Sequence, residues 1–580
     1  MSRNDEIRAL LRELGELTVI DEQSPTSFRA RAYEKAVQSL ENVSVELADT
    51  SLDDLKALAG IGESTAAKIR EWVDSGRITK LDALRVKHPK DVVQLSRIPG
   101  IGPKTLHRLR AELGITNLAD LVAAIDAEKL RVLPGLGAKT EERIKQGIER
   151  LGLVHGDQRL PIAEAMDEAL RWVDRVSEHP AVTAVVPAGS LRRQRETVGD
   201  IDLIVATESP DAVSAWLATL PAVHRVLVSG GLKTSVIGAT GLQVDLRYVR
   251  PEDLGAALLY FTGSKAHNIR LRQLAIDRGW TLNEYALTVA STGERIAADT
   301  EEAVYAALGL PWIPPPMRED AGEIEAARDG TLPRPFEESD LRGDLHVHTT
   351  YSGDGRSTLS DVVQAAAARS YRYLAITDHA ENLAINGISR DEIARQADEL
   401  ARLQETVPQL RLLRGIELNI APDGSLDYDP DFRASLDWCV AAVHTAYDLP
   451  QAAQTARVIR AMADPAVRVI GHLTGRMIGS RPGIELDIDA ILDALASYGV
   501  ALEINSALPR LDAAAPVLRR AADRGVLFAL STDAHHVSEL GRTRWGVRQA
   551  QRGWVDPDRI VNTWPRERFD AWLAHRLPSV

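Results

Sequence analysis

A series of short motifs in the C-terminal half, each carrying histidine or a carboxylate, restricts the fold of this chain more than any other feature. They are Asp344-Leu345-His346-Val347-His348 with Asp354 soon after, Thr377-Asp378-His379, Gly415-Ile416-Glu417, Val443-His444, Gly471-His472 and Ser531-Thr532-Asp533-Ala534-His535. Several sit at the ends of runs that read as strands, at 373–377, 412–416, 467–470, 500–504 and 527–530, with helical stretches between them. Residues two apart on a strand face the same way, so His346 and His348 project together, as do Asp533 and His535. A lone buried histidine is usually structural. Six of them at strand ends beside Asp and Glu are better explained as metal ligands at one mouth of a barrel-like α/β domain. A mixed nitrogen and oxygen donor set suits a cluster of Zn²⁺ and/or Mn²⁺.

At the other end of the chain a different pattern recurs. Leu58-Ala59-Gly60-Ile61-Gly62, Ile98-Pro99-Gly100-Ile101-Gly102 and Leu133-Pro134-Gly135-Leu136-Gly137 are each followed by a helical stretch with a lysine (Lys68, Lys104, Lys139). Their first glycines are 40 and then 35 residues apart, which predicts repeated helix–turn–helix units. One Gly-x-Gly turn fits a helix C-cap as well as it fits a phosphate cradle. Three copies, each with a lysine, favour contact with a DNA backbone without base readout. The first 50 residues read as amphipathic helices, with Ile7, Leu10, Leu11 and Leu14 at helical spacing.

Between these regions the texture changes to strands, at 181–186, 201–205 and 242–249, and then to helices from about 254 to 310. Gly189-Ser190-Leu191-Arg192-Arg193 precedes Gly199-Asp200-Ile201-Asp202-Leu203-Ile204-Val205, and Asp245 lies in Gln243-Val244-Asp245-Leu246-Arg247. Asp200 and Asp202 share one face of a strand while Ile201 and Leu203 face a core. Asp-x-Asp alone favours solvated carboxylates on the wet face of a strand. With Gly-Ser upstream and a third Asp, it reads as an all-oxygen site for divalent metal, where metals would lower the pKa of an attacking hydroxyl and neutralise a transferring phosphate.

Composition limits the alternatives. A chain of 580 residues exceeds one hydrophobic core and predicts about three to five domains. The net charge of −14 argues against nucleic acid globally, but residues 51–150 carry 18 basic against 14 acidic side chains. No apolar run reaches membrane-spanning length, and the N-terminus lacks a signal-peptide layout. The single cysteine, Cys439, forbids an internal disulfide. A cytoplasmic protein, nucleoid-associated when on DNA, is expected.

The Gly-Ser-x-x-Arg, Gly-Asp-x-Asp and Tyr260-Phe261-Thr262-Gly263-Ser264 segments keep, over about residues 1–316, the order found in family X DNA polymerases, and resemble them. DNA polymerase beta is the familiar member. The resemblance implies that Asp200, Asp202 and Asp245 are catalytic ligands of Mg²⁺ or Mn²⁺. It places Gly189, Ser190, Arg193 and Gly199 on the incoming triphosphate, and Tyr260 and Phe261 along the sugar, with Gly263, Ser264 and Lys265 in the same nucleotide site. Asn268 would reach the base edge, and Arg272 the template. Lys233 would contact DNA, as would Gly60, Gly62, Gly100, Gly102, Lys104, Gly135 and Gly137 of the helix-hairpin-helix turns. Lys68 matches the position of the family's Schiff-base lysine, although Ser64 and Ala67 replace its usual Lys and Glu neighbours. Lys265 stands where the beta-type enzyme has an acidic residue.

The C-terminal half, over about 340–575, resembles the PHP (polymerase and histidinol phosphatase) family. That resemblance carries metal-ligand roles to His346, His348, Asp354, His379, Glu417, His444, His472, Asp533 and His535. The usual Ser-Asp-Gly reads Ser352-Gly353-Asp354-Gly355 here, with one extra glycine. Metal-assisted hydrolysis of a phosphodiester is implied, with 3′-to-5′ exonuclease as the activity expected and abasic-site endonuclease as a second use of the same site.

The expected organisation is multidomain. It comprises a helical lyase-like DNA-binding domain (1–80), helix-hairpin-helix fingers (81–152), an α+β nucleotidyltransferase palm (153–253), an α+β thumb-type subdomain (254–316), a proline-rich linker (317–341) and a C-terminal α/β PHP barrel, distorted (β/α)7 (342–580). The expected substrates are gapped or nicked double-stranded DNA and dNTPs, with no membrane. The function expected is short-gap synthesis in base-excision or break repair, with 3′-end trimming. Two alternatives remain: a DNA-binding scaffold whose polymerase is degenerate and whose nuclease alone works, and a small-molecule phosphatase, which the DNA-binding turns disfavour.

Overall fold

The computed structural model describes residues 3–574 except 25–26, 42–46, 48–49, 59, 97, 99, 134, 151–158, 239, 384–385 and 509. Ala59, Pro99 and Pro134 of the glycine motifs, and the expected 152/153 boundary, therefore lie outside the described residues. The chain forms two compact units, one made mainly of residues 1–156 and the other mainly of 157–580.

The first unit is helical. Its helices include Arg3–Asp21, Phe28–Glu41, Glu63–Ser75, Pro103–Leu113 and Ala138–Arg150. Their ends follow from local chemistry. Ser51 and Asn117 accept hydrogen bonds from the backbone N–H of Asp54 and Asp120, and Gly76 and Gly114 close helices in the left-handed conformation. Ile7, Leu11 and Leu14 pack with Leu47, Ile61 and Ile69 in one core, and Ile98, Ile101, Leu106 and Leu136 join a second.

In the second unit, a five-stranded mixed sheet packs on helix Ile162–Ser177. Strand Asp200–Thr207 lies between Val182–Pro187 and Gln243–Val249. Helices Leu254–Thr262, Lys265–Ile276 and Glu301–Ala307 follow. A three-stranded antiparallel sheet of Trp280–Leu282, Leu287–Val289 and Arg295–Ala297 interrupts what reads in sequence as all helix. These strands are three residues each, too short for a period to emerge.

The segment 317–341 differs from the expected tether, because it is folded. Arg318 is fully buried on Glu301 at 2.6 Å, and Glu323 bonds the buried His267 at 2.6 Å. Helix Glu323–Arg328 contributes Ile324 and Ala327 to the core beneath, while Phe336 and Leu341 enter the barrel core. Pro315 and Pro316, just before this segment, are buried in a short 3-10 helix rather than extended as a spacer.

Seven parallel strands form the C-terminal barrel in sequential order: Gly343–Asp344, Tyr373–Ile376, Arg411–Asn419, Trp438–Ala442, Val467–Ile470, Ala501–Asn505 and Phe528–Ser531. A parallel bridge between Val347 and Ala534 joins the first strand's end to the last. Buried on both faces, these strands read as continuous apolar runs.

Candidate active sites

The palm cluster follows from sheet register. Asp202 pairs directly with Asp245 across parallel strands, and Asp200 sits one strand period before Asp202. Ligand atoms of all three carboxylates lie within 4.8 Å of one another. Gly189 has φ +60, and a Cβ there would stand 2.2 Å from Asp202 Oδ2, so only glycine lets the Ser190 turn lie on this carboxylate. Burial and the charges of Asp200 and Asp245 push Asp202 up to about 6. Asp245 moves the other way. Burial raises it, but hydrogen bonds from Lys233, Ser235 and Gln243 outweigh that.

Lys233, expected on DNA, has its Nζ 2.6 Å from Asp245 Oδ2.

Around this cluster, Arg193 donates to the Thr262 carbonyl and pairs with Glu319 at 3.1 Å. Gly199 faces Arg159. Tyr260 and Phe261 meet edge to face at 5.0 Å, and Arg247 stacks over Phe261 at 4.3 Å. Asn268 donates to the Tyr260 carbonyl at 2.6 Å, and Arg272 caps the Asn268 carbonyl. Tyr260, Asn268 and Arg272 line one small cavity. Ser264, preceded by Gly263, accepts from the His267 N–H as the cap of the helix that Lys265 begins, exposed.

In the glycine motifs, Gly60, Gly100 and Gly135 all adopt positive φ, between +83 and +95. The second glycines, Gly62, Gly102 and Gly137, have nothing within 4 Å of where a Cβ would lie. The turn therefore closes on one glycine and leaves open backbone at the other, as a phosphate cradle requires. Lys104 follows on helix Pro103–Leu113. Lys68 donates to Ser64 Oγ at 2.7 Å and lies 5.6 Å over the Tyr33 ring.

The barrel brings all nine predicted histidines and carboxylates of the C-terminal half to one mouth. Three overlapping groups have ligand atoms within 4.8 Å: His348, Asp354, His379 and His535; His346, His348 and Asp533; and His379, Glu417 and His444. His472 Nε2 reaches Glu417 Oε1 at 2.9 Å. The inserted Gly353 does not displace Asp354, whose Oδ2 lies 3.1 Å from His379 Nε2 and is held by Asn386 at 2.7 Å.

Buried atoms here lack hydrogen bonds of proper geometry: His346 Nε2, both nitrogens of His348, His379 Nδ1, Glu417 Oε2, Asp354 Oδ1 and His472 Nδ1. Orphaned buried donors and acceptors are costly, and these converge, which fits a site shaped for cations. Burial and the nearby His535 and His379 charges push His348 down to about 3, leaving a neutral imidazole with a free lone pair. Burial lowers His379 too, but Glu417 and Asp354 hold it up, at about 10.

A supporting layer was not read from the sequence. Glu503 accepts from His346 Nδ1 at 2.7 Å and from the His472 backbone N–H at 2.6 Å. Asn419 holds His444 Nδ1 at 2.8 Å. Asp378 accepts from Thr349 and Gln396, and Asp344 from Thr532. The available signal was Glu503-x-Asn505 on an otherwise apolar strand, where polar residues need a partner.

Comparison with known proteins agrees with this geometry. The helix-hairpin-helix domain family matches residues 2–78, the SAM-like helix-hairpin-helix tandem 92–150, the DNA polymerase beta thumb 257–319 and the PHP domain 344–507. The Bacillus subtilis DNA polymerase/3′-5′ exonuclease PolX is 36% identical over 94% of this chain and 95% of its own length. The chain belongs to the family X DNA polymerases with a C-terminal PHP domain. DNA polymerase lambda of Rattus norvegicus is 27% identical over 50% of this chain and 52% of its own. The Arabidopsis thaliana DNA polymerase lambda is 28% identical over 50% and 58%. Within this family X chain no described helix is long and apolar enough to cross a membrane.

Proposed function

We infer that this family X protein is a template-directed DNA polymerase for short gaps in DNA repair, carrying its own 3′-to-5′ exonuclease in the PHP barrel. The observation that carries the reading is the presence of two separate convergent ligand sets, an all-carboxylate one in the palm and a histidine-rich one in the barrel. The scaffold alternative is not favoured, since all three palm carboxylates converge and the 36% identical relative is a DNA polymerase/3′-5′ exonuclease.

Asp200, Asp202 and Asp245 would hold Mg²⁺ or Mn²⁺, the ions that suit oxygen donors. The nine barrel residues would hold Zn²⁺ and/or Mn²⁺. Bound ions supply Lewis-acid polarisation of phosphate oxygens. The protein's own part is to orient. The first N–H groups of the Gly189–Arg192 helix would meet a triphosphate, with Arg193 beside it on Thr262 and Glu319, Tyr260 would wall the sugar, and Asn268, fixed against the Tyr260 carbonyl, would reach the base edge. The open glycine turns and Lys104 would grip gapped or nicked duplex by its phosphates. Lys68, whose amine donates to the Ser64 carbonyl and hydroxyl, would serve as a phosphate contact.

The test is a one-nucleotide-gapped duplex incubated with four dNTPs and Mg²⁺ or Mn²⁺. Wild type should extend the primer, Asp245→Ala should only shorten it, and His346→Ala should only extend it. Extension by none of the three would sink the polymerase reading.

A further inference from the structure

Glu196 lies in the palm, between Arg193 and Gly199-Asp200, yet its carboxylate is engaged by the barrel. Arg476 donates to it through both terminal nitrogens, at 2.8 and 3.1 Å, and Gln549 Nε2 donates at 2.8 Å. On the palm side its carbonyl accepts from the Ile162 N–H at 3.0 Å. The contact is backed by apolar packing, since Leu511 and Trp545 of the barrel share one core cluster with Trp172, Val198 and Leu203 of the palm.

The other contacts of Arg476 lead toward the metal ligands. Arg476 lies four residues after His472. Its Nε donates to the Arg510 carbonyl at 3.0 Å, and Nη2 also reaches the Leu511 carbonyl. Gln549 donates to the Leu511 and Ala513 carbonyls. The loop so held turns back on the site: Asp512 accepts from Thr474 at 2.8 Å, the Asn505 N–H donates to the Asp512 carbonyl, and Asn505 Nδ2 reaches Asp533 Oδ2 at 3.2 Å. Hydrogen bonds joined by the Leu511–Asp512 peptide and by Asn505 thus connect a polymerase-loop carboxylate to a barrel carboxylate.

We propose that Glu196 is a positioning residue for the barrel metal cluster: it fixes the Arg476 guanidinium, which holds Arg510 to Asp512 and through them Asn505, the residue that orients Asp533. Excision then depends on a side chain of the palm. This rests on the exonuclease reading above. Supporting groups outside the ligands themselves typically govern metal affinity or activity by about 10- to 100-fold.

The experiment uses the full-length protein. Excision of a single-stranded 3′ end is measured against Mn²⁺ concentration, and retained Mn²⁺ after gel filtration is counted by elemental analysis. Glu196→Ala should lower excision about 10-fold, raise the half-saturating Mn²⁺ and reduce retained Mn²⁺, with an unchanged Tm. Glu196→Gln, which keeps the volume and one acceptor, should recover part of the loss. Arg476→Ala and the double variant Glu196→Ala/Arg476→Ala should be equally impaired, because Glu196 acts through Arg476. Equal excision and equal metal retention in wild type and Glu196→Ala would overturn the proposal, as would a loss that tracks a fallen Tm in both variants. Wild type that trims no 3′ end would strike the exonuclease reading, and metal retention would still decide the positioning role.

Discussion

The palm cluster and the barrel cluster differ in how much protein stands behind each ligand. In the palm, three carboxylates rest on two adjacent strands, Asp200 is exposed, and Gln243 and Lys233 bond Asp245. In the barrel, nine side chains come from six strand ends, and Glu503, Asn419, Asn386 and Asn505 hold the ligands from behind. A site that is open on one side suits ions that arrive with a triphosphate. A site buried and braced on all sides suits ions that stay.

The largest expected effect separates the two chemically. Asp202→Asn should reduce primer extension by at least about 10³-fold, the several kcal/mol that metal charge supplies to phosphoryl transfer, and leave 3′ trimming intact. Glu417→Gln should do the reverse. Loss of both activities in either variant, read on one gel, would mean the sites are not separate. Next in size, Glu503→Leu should weaken metal retention at the barrel by about 10- to 100-fold, with no effect on Mg²⁺ dependence of extension. Retained metal after dialysis measures it.

Protons sharpen the contrast. His379 is held up at about 10, and against burial the carboxylates beside His346 and His535 raise those imidazoles too, so metal binding at the barrel should release at least one proton at pH 8. Asp202, at about 6, is already ionised at pH 8, so palm binding should release almost none; its metal affinity should fall as pH drops through 6. Calorimetry in two buffers of different ionisation enthalpy distinguishes them, and equal proton counts would erase the distinction. The smallest effect is at Lys233. Because its ammonium competes for Asp245, Lys233→Gln should lower the half-saturating Mg²⁺ for extension by a few-fold, roughly the scale of one partly exposed ion pair.

The two clusters could be anticipated where their members are close in sequence. Asp200-x-Asp202, His346-x-His348 and Asp533-x-His535 announce a shared face by spacing alone. Asp354 follows His348 in the same loop, and the structure sets it beside His379 despite the inserted Gly353. What escaped reading is what depends on long-range pairing. Glu503 meets His346 across 157 residues, and nothing near it in sequence marks the partner. The thumb strands of three residues carry no period, and the prolines of 311–335 suggest a spacer until Arg318 is seen buried on Glu301. The role of Lys233 likewise depended on strand register, which places it opposite Arg247, next to Asp245.

The folded segment between thumb and barrel bears on how the molecule can be cut. Arg318 and Glu323 belong to the thumb's buried network, and Phe336 and Leu341 belong to the barrel core. A truncation at residue 316 would strip Glu301 of one of its two guanidinium partners and leave His267 without its carboxylate. Only the stretch from about Asp329 to Pro335 lies between the two sets of anchors. A cut there would leave the thumb's network and the barrel core each whole, but it would also uncover the seam where Leu511 and Trp545 of the barrel join the palm core, so neither fragment would keep all of its packing.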